Sequence, residues 1–319
     1  MDRPGAVAQL RAVLNSFARE HAIDGPWCVA LSGGPDSLAL TAVAAALRPT
    51  TALIVDHGLQ AGSHSVAATA REQAVALGCV EARVSAVEVG TDGGPEAAAR
   101  TARYTALERA RAGAPVLLGH TLDDQAETVL LGLGRGSGAR SIAGMRAHDP
   151  PWCRPLLGVR RSVTHAACAE LGLAAWQDPH NSDPRYTRVR LRTEVLPLLE
   201  EVLGGGVAAA LARTAAALRE DNDALDAIAG DVAIASEPGL PIGRLTALPA
   251  ALRRRVIRRW LLTGGAHGLT DGQLRAVDAL VTDWRGQGGV AVPSAMARCR
   301  LFAARRGQVL TLHREPVAE

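Results

Sequence analysis

The chain contains no lysine: all 35 of its basic residues are arginine. That absence excludes every chemistry that needs an enzyme amine, Schiff-base catalysis included, and it excludes the Walker-type phosphate loop, whose lysine reaches the terminal phosphates. Cysteine is sparse as well. Cys28, Cys79, Cys153, Cys168 and Cys299 are scattered, odd in number and never spaced C-x-x-C, so neither a disulfide framework nor a zinc or iron–sulfur site is indicated. Only 2 Phe and 2 Tyr occur in 319 residues, too few for a module that grips bases on a row of aromatics. No apolar run approaches the ~20 residues that span a bilayer, which argues against membrane insertion. The first twenty residues, MDRPGAVAQLRAVLNSFARE, set charges into an apolar pattern and lack a small-residue cleavage site. They are read as an amphipathic helix rather than a signal peptide, and the protein is expected to be cytoplasmic.

What is present is an ordinary globular composition, 48% apolar and 21% charged, in a chain long enough for two domains. Short apolar runs at 27–32, 51–58, 80–89, 115–121 and 152–157 alternate with Ala-rich helical patterns near 35–48, 64–77, 95–112 and 123–134. Such alternation predicts βαβ units, hence an α/β fold with a Rossmann-like, mostly parallel sheet and helices on both faces. After Pro197 a long helical pattern is broken by glycines at 204–206. Residues 1–200 are therefore read as one domain, 201–247 as a helical connection and 248–319 as a smaller α+β C-terminal domain. Charge follows the same division: residues 1–200 carry 20 Arg against 20 acids, residues 251–319 carry 12 against 5. A basic tail beside a neutral body suggests a polyanionic partner.

Chemistry gathers where strands end. In LSGGPDS the first strand stops at Ser32, Gly33 and Gly34 allow a tight turn with close ligand approach, and Pro35 suits the first turn of a helix. Backbone N–H groups and the positive helix end then converge on one anion, with Ser32 and Ser37 as hydroxyl donors. Asp36 would repel a phosphate unless it helps to hold Mg²⁺ or orients a donor, so a magnesium nucleotide is implied. Downstream, Asp123, Asp124 and Glu127 are spaced to share one helix face, and Thr121 with Asp124 forms a capping box. Three acids in five residues exceed what capping requires, and their charge suits an ammonium group, Mg²⁺ or both. Arg100, Arg103 and Tyr104 lie on one predicted helix, while Arg188, Arg190 and Arg192 alternate before Pro197, which is read as a stop. Near the C-terminus, LPAALRRRVIRRWLL predicts a helix with Leu252, Val256, Ile257 and Trp260 as its apolar stripe and Arg254, Arg255, Arg258 and Arg259 radiating outward.

The string S-G-G-P-D-S resembles the loop of the pyrophosphate-loop ATPases, adenylating enzymes that cleave ATP between its α and β phosphates. Taken with V-D-H-G-L (55–59), A-R-x-x-R-Y (99–104), D-D-Q-A-E-T (123–128), R-G-S-G, R-P-L-L and the closing R-x-R-x-R-x-x-x-L-P, it resembles the tRNA(Ile)-lysidine synthase family over residues 25–200. The resemblance implies ATP and Mg²⁺ as cofactors, and as partners an isoleucine tRNA with a CAU anticodon and free L-lysine. In that family the C2 oxygen of the wobble cytidine is adenylated and lysine then attacks C2, which turns AUG decoding into AUA decoding. Carried over by motif, Ser32 to Ser37 would cradle the nucleotide, Asp36 would serve its magnesium, and Asp124 and Glu127 would hold lysine. Arg100 or Arg103 would contact the base or stabilise charge on O2, and Arg188, Arg190, Arg192 and the arginines of 254–259 would meet tRNA. Val189 stands where the family usually has Asn, and His120–Thr121 replaces a histidine doublet. The length suggests the shorter, two-domain form. Two other readings stand beside this one: a thiolase of the same loop family, and a catalytically silent tRNA-binding protein.

Overall fold

The computed structural model describes residues 5–58, 62–90, 94–136, 138–232, 239–294 and 299–316. Leu59 of the V-D-H-G-L string and Ser137 of R-G-S-G lie outside the described residues. Two compact units are present, one of Met1–Leu130 with Gly144–Arg213, the other of Leu131–Ala143 with Thr214–Glu319.

The first unit begins with α1 (Ala6–Glu20), whose Leu10, Leu14, Phe17 and Ala18 form the buried stripe. Six strands follow, β1 (Trp27–Ala30), β2 (Thr50–Asp56), β3 (Glu81–Ala86), β4 (Val116–Leu117), β5 (His148–Asp149) and β6 (Trp152–Cys153), in the order β3-β2-β1-β4-β6-β5. Every pairing is parallel except that of β5 with β6. The connecting helices are α2 (Pro35–Leu47), α3 (Ser63–Ala76), α4 (Pro95–Ala110), α5 (Leu122–Arg135) and α7 (Arg161–Glu170); the end of α5 from Leu131 and the short α6 (Ala139–Ile142) belong to the second unit. Alternate residues of one strand serve opposite faces. Trp27 and Val29 of β1 join Leu14, Leu38 and Ala167 in one core, while Cys28 joins Leu107 and Val116 in the other. The expected mostly parallel, doubly covered sheet is thus present.

Three details depart from expectation. Strands expected to run six to ten residues are shorter: β4 and β6 have two residues each, although the Leu118 N–H still bonds the Cys153 carbonyl at 2.8 Å. Helix α7 has no counterpart among the predicted elements. Its first backbone N–H is capped from outside by Asp123, 2.7 Å away, and its last residue, Glu170, accepts the N–H groups of Ala6 and Val7 at the start of α1. Pro197 does not stop a helix. The segment runs on through α8 (Thr187–Arg190), a π-helical turn over Leu191–Val195 and α9 (Leu196–Val202), with Pro197 in the first turn of α9, where its missing N–H costs little. Gly204, Gly205 and Gly206, all at positive φ, then turn the chain into α10 (Val207–Asp231), whose first amides are capped by the Glu200 carboxylate.

The second unit contains β7 (Gly239–Pro241), α11 (Ile242–Thr246), α12 (Ala250–Thr263), α13 (Asp271–Thr282), β8 (Val290–Val292), β9 (Cys299–Arg306) and β10 (Val309–Pro316). Its strands form an antiparallel sheet in the order β7-β10-β9-β8, the small α+β element expected from the sequence. Leu301, Ala303 and Leu310 pack one sheet face against Val256, Ile257, Val277 and Leu280. The start of α13 is fixed by a reciprocal capping box between Thr270 and Gln273. No single helix among the described residues is long and apolar enough to cross a membrane.

Two glycines of α5 give opposite expectations. A Cβ on Gly132 would stand 2.2 Å from the Ser141 carbonyl oxygen, whereas one on Gly134 meets nothing within 4 Å. Alanine relieves the backbone entropy of glycine by ~0.5–1 kcal/mol in a helix, but overpacking against backbone costs ~1–3 kcal/mol. Gly132→Ala should lower the melting temperature and Gly134→Ala should leave it unchanged or raise it, as scanning calorimetry of the pair will show.

Candidate active site

The loop between β1 and α2 is a closed ring of hydroxyls. The Ser37 hydroxyl accepts the Ser32 N–H at 3.1 Å, donates to the Gly34 carbonyl at 3.0 Å and lies 3.0 Å from the Ser32 hydroxyl. Gly33, at φ +83°, makes the turn. Pro35 brings no N–H and the Leu38 N–H is taken by the Gly34 carbonyl at 2.9 Å, which leaves the Asp36 and Ser37 amides as the helix-start donors without an intrahelical partner. Gly119, after β4, closes one side: a Cβ there would meet the Ser37 nitrogen at 3.0 Å and the Asp36 carbonyl at 3.1 Å.

Asp36 points from this loop to α7. Its carboxylate accepts the Thr164 hydroxyl and, at 3.4 Å, the Arg161 Nε. Burial pushes its pKa up, against the pull of Thr164 and Arg161. The same Arg161 reaches Asp124 through Nη2 at 2.6 Å and Glu127 through Nη1 at 3.5 Å. Sequence reasoning missed this residue. The only signal was its position a few residues after R-P-L-L, in a segment with no recognised helix start.

Asp124 does two things at once. It caps α5, accepting the Thr121 N–H at 2.7 Å and hydroxyl at 2.8 Å, and it binds Arg161. Burial opposes its charge, but Arg161 and the two Thr121 hydrogen bonds outweigh that and hold its carboxyl below the ordinary range. Glu127 is fully buried and is gripped by both Arg192 nitrogens, Nε at 2.8 Å and Nη2 at 3.2 Å, with Arg188 at 3.8 Å. Asp123 faces away from this group, towards Arg160 and the start of α7.

The other predicted residues divide. A helix sets residues two apart on opposite sides and residues four apart on one side. Arg188 and Arg192 therefore reach Glu127, while Arg190 pairs with Glu194 in an exposed i, i+4 bridge. Arg100 lies over the Tyr104 ring and contacts its hydroxyl at 3.3 Å. Arg103 is half-buried near it, its pKa lowered by burial and by the charges of Arg100 and Arg188. His120, to which the sequence assigned no role, lies in the same neighbourhood: burial holds its pKa down to about 3, with Asp124 opposing and Arg154, Arg103 and Arg100 adding. It is neutral at physiological pH, and its Nδ1 has no hydrogen-bond partner among the described residues.

In the second unit the four arginines of α12 do not all radiate outward as expected. Arg255 is turned inward, its side chain 14% exposed, binding Asp226 at 3.2 Å and Asn222 at 2.8 Å, because its side of α12 faces α10. Arg254 lies 3.9 Å from Asp278, which also holds Arg253. Arg258 is half-buried, its pKa lowered by burial and by Arg140, and Arg259 is exposed.

As a metal site, Asp36 suits a cation that arrives with phosphate. Among the described residues no group of three or more His, Cys, Asp or Glu could hold an ion by itself. Magnesium, however, commonly takes one or two carboxylates and completes its shell with substrate phosphates and water. Asp36 is a partly buried carboxylate, its side chain 22% exposed, whose pKa burial raises despite Thr164 and Arg161, so a further cation beside it would favour its charged form.

Asp124 predicts a pH dependence. Its folded pKa lies below its unfolded value, so its ionised form contributes stability that is fully present above the ordinary aspartate pKa of about 3.9 and is lost as pH falls through the lower folded value. Urea midpoints of the wild type and Asp124→Asn should therefore differ by a constant amount at neutral pH and converge in acid. A separate expectation concerns Gly119: Gly119→Ala should keep the fold and weaken pyrophosphate binding at least about tenfold by pushing on the loop backbone, as calorimetric titration will show.

Known proteins resemble this chain along essentially its whole length. A family model described as a PP-loop domain matches residues 7–199, and one described as the TilS substrate binding domain matches residues 240–308. The chain is 72% identical to the tRNA(Ile)-lysidine synthase of Mycobacterium bovis (strain ATCC BAA-935 / AF2122/97), across 99% of this chain and 100% of that one. It is 68% identical to that of Mycobacterium leprae (strain TN), with the same coverage, and 65% identical to that of Nocardia farcinica (strain IFM 10152) over 90% of this chain and 91% of the relative. Among solved structures, the U34-tRNA thiolase NcsA from Methanococcus maripaludis superposes with a TM-score of 0.53 at 17% identity, covering 67% of this chain and 80% of that one, a likeness of fold alone. With identity this high along essentially the whole of both chains, the protein belongs to the tRNA(Ile)-lysidine synthase family.

Proposed function

We propose that the chain is an ATP-dependent, tRNA-modifying ligase of the cytoplasm that makes lysidine. In this reading the C2 oxygen of the wobble cytidine, in an isoleucine tRNA with a CAU anticodon, attacks the α-phosphorus of ATP. The bond to the β-phosphate breaks and pyrophosphate leaves. The side-chain amine of free L-lysine then attacks C2, AMP departs with the oxygen, and the codon read changes from AUG to AUA. Residues 1–200 carry the chemistry, 201–247 connect, and 248–319 bind tRNA.

The observation that carries the reading is the cluster in which Arg161 ties Asp36, at the phosphate loop, to Asp124 and Glu127, at the next strand end. One group faces the leaving pyrophosphate and the other two face where an ammonium would arrive, so both half-reactions meet in one place. Ser32, Gly33, Gly34, Pro35 and Ser37 supply the pyrophosphate cradle. Asp36 is the residue that would hold magnesium, which supplies charge neutralisation for the phosphates when bound. Asp124 and Glu127 hold the lysine, and Arg188 and Arg192 pair with the buried Glu127 carboxylate. Arg103, a half-buried guanidinium beside Arg100, is placed to stabilise negative charge near the base. On the second unit, Arg254, Arg258 and Arg259 face tRNA phosphates, while Arg255 holds the helix in place.

The direct test is incubation with ATP, Mg²⁺, labelled lysine and an unmodified CAU-anticodon tRNA, with label expected in the RNA. Glu127→Gln then separates the half-reactions. It removes a charge-assisted interaction of typically ~1.5–3 kcal/mol, so lysine transfer should fall roughly 10- to 100-fold while AMP transfer to tRNA continues. Equal loss of both steps would mean that Glu127 only supports the fold.

A further inference from the structure

The outer face of the antiparallel sheet carries a ring pair to which the proposed function, beyond giving residues 248–319 to tRNA, assigns no role. Successive side chains of a strand alternate between faces. Leu301 and Ala303 of β9 lie in the core against α12 and α13, which puts Arg300, Phe302, Ala304 and Arg306 on the opposite face. Register places His313 of β10 directly across from Phe302, and Ala291 of β8 on its other side. The Phe302 and His313 rings are stacked, with centroids 5.6 Å apart and planes within 16°. His313 is oriented by a 3.1 Å contact from Nε2 to the Glu315 carboxylate. Phe302 is not part of the core cluster of its unit, and Ala291 and Gly289 beside it add almost no bulk above the rings. Arg300 and Arg306 are exposed on either side, six residues apart, or about 20 Å along a strand.

We infer that this face is a stacking platform for an unpaired segment of the tRNA substrate. A base stacks on the Phe302–His313 pair, and Arg300 and Arg306 meet phosphates on either side of it. The chemistry fits nucleic acid rather than protein: a flat paired π surface is flanked by guanidiniums, in a region with 12 Arg against 5 acids. Among the described residues of β9 and β10, Glu315 is the acid on this face, and it is engaged by His313. The sequence has too few aromatics for a row of stacked bases, but one pair suffices for one base. The inference rests on the proposed function only for the source of the RNA, since binding requires neither ATP nor lysine.

The test uses the full chain and a CAU-anticodon tRNA carrying 2-aminopurine at one unpaired position, in the anticodon loop or, in a second preparation, in the 3′ end. One of the two preparations should be quenched on binding. Phe302→Leu should abolish that quenching and weaken binding roughly 5- to 100-fold with an unchanged melting temperature, and Phe302→Trp should restore both. Arg300→Gln with Arg306→Gln should flatten the dependence of log affinity on log salt by about 0.7 for each phosphate that is no longer neutralised. The inference is overturned if Phe302→Leu binds and quenches as the wild type does, or if Leu and Trp behave alike, as a packing role would require. It is equally overturned if sedimentation shows a dimer that Phe302→Leu dissolves, which would assign the face to a second copy of the chain.

Discussion

The site depends on a charge balance held by one guanidinium. Asp36, Asp124 and Glu127 come from two strand ends and would repel one another in a partly dry setting, where Arg161 is 17% exposed and Glu127 not at all. Arg161, with Arg188 and Arg192, supplies three positive charges to three negative ones. Stripping one partner from such a group typically costs ~3–5 kcal/mol, because the remaining charge is stranded rather than solvated. The cluster therefore requires α7 to be where it is, and α7 is fixed at both ends by carboxylates, Asp123 at its start and Glu170 reaching α1 from its end. The phosphate loop, the acidic helix α5 and the N-terminal helix are joined through this one element.

Much of this was legible because local chemistry specified it. The S-G-G-P-D-S string specifies a turn and a helix start within a few residues, and the alternation of apolar runs specifies the parallel sheet. The capping role of Thr121 with Asp124 was likewise written in their spacing, and it coexists with the ion pair to Arg161. What stayed hidden was long-range. Arg161 meets Asp36 across 125 positions of sequence, and no period or spacing announces such a partner. The N-cap position of α7 is Arg160, which offers no capping side chain, and the cap comes instead from Asp123, a residue already counted as part of another motif.

The arginine-rich segments show the opposite error, in which a pattern suggests more unity than the fold gives. Arg188, Arg190 and Arg192 look like one alternating clamp, as they would on a strand. On a helix the same spacing sends Arg190 to Glu194 and the other two to Glu127. In α12, a run of five arginines divides between ties to Asp226 and Asp278 and an exposed remainder. In a chain without lysine, arginine must do both jobs, so its abundance alone does not mark a binding surface.

That the hub is arginine rather than any cation follows from its geometry. The three nitrogens of Arg161 span three carboxylates: Nε faces Asp36, Nη2 faces Asp124, and Nη1 and Nη2 both reach Glu127 at 3.5 Å. A lysine ammonium is a compact point charge at the end of a flexible stem, and it cannot hold three acceptors apart in a plane. Its proton is also negotiable in a desolvated setting, whereas a guanidinium stays charged. The frame of the site therefore keeps its charge while its ligands titrate. Under the proposed function, the compact, mobile cation that Asp124 and Glu127 would hold is the substrate, distinguished from the protein's own cations by shape and by the absence of any lysine in the chain to compete for the place.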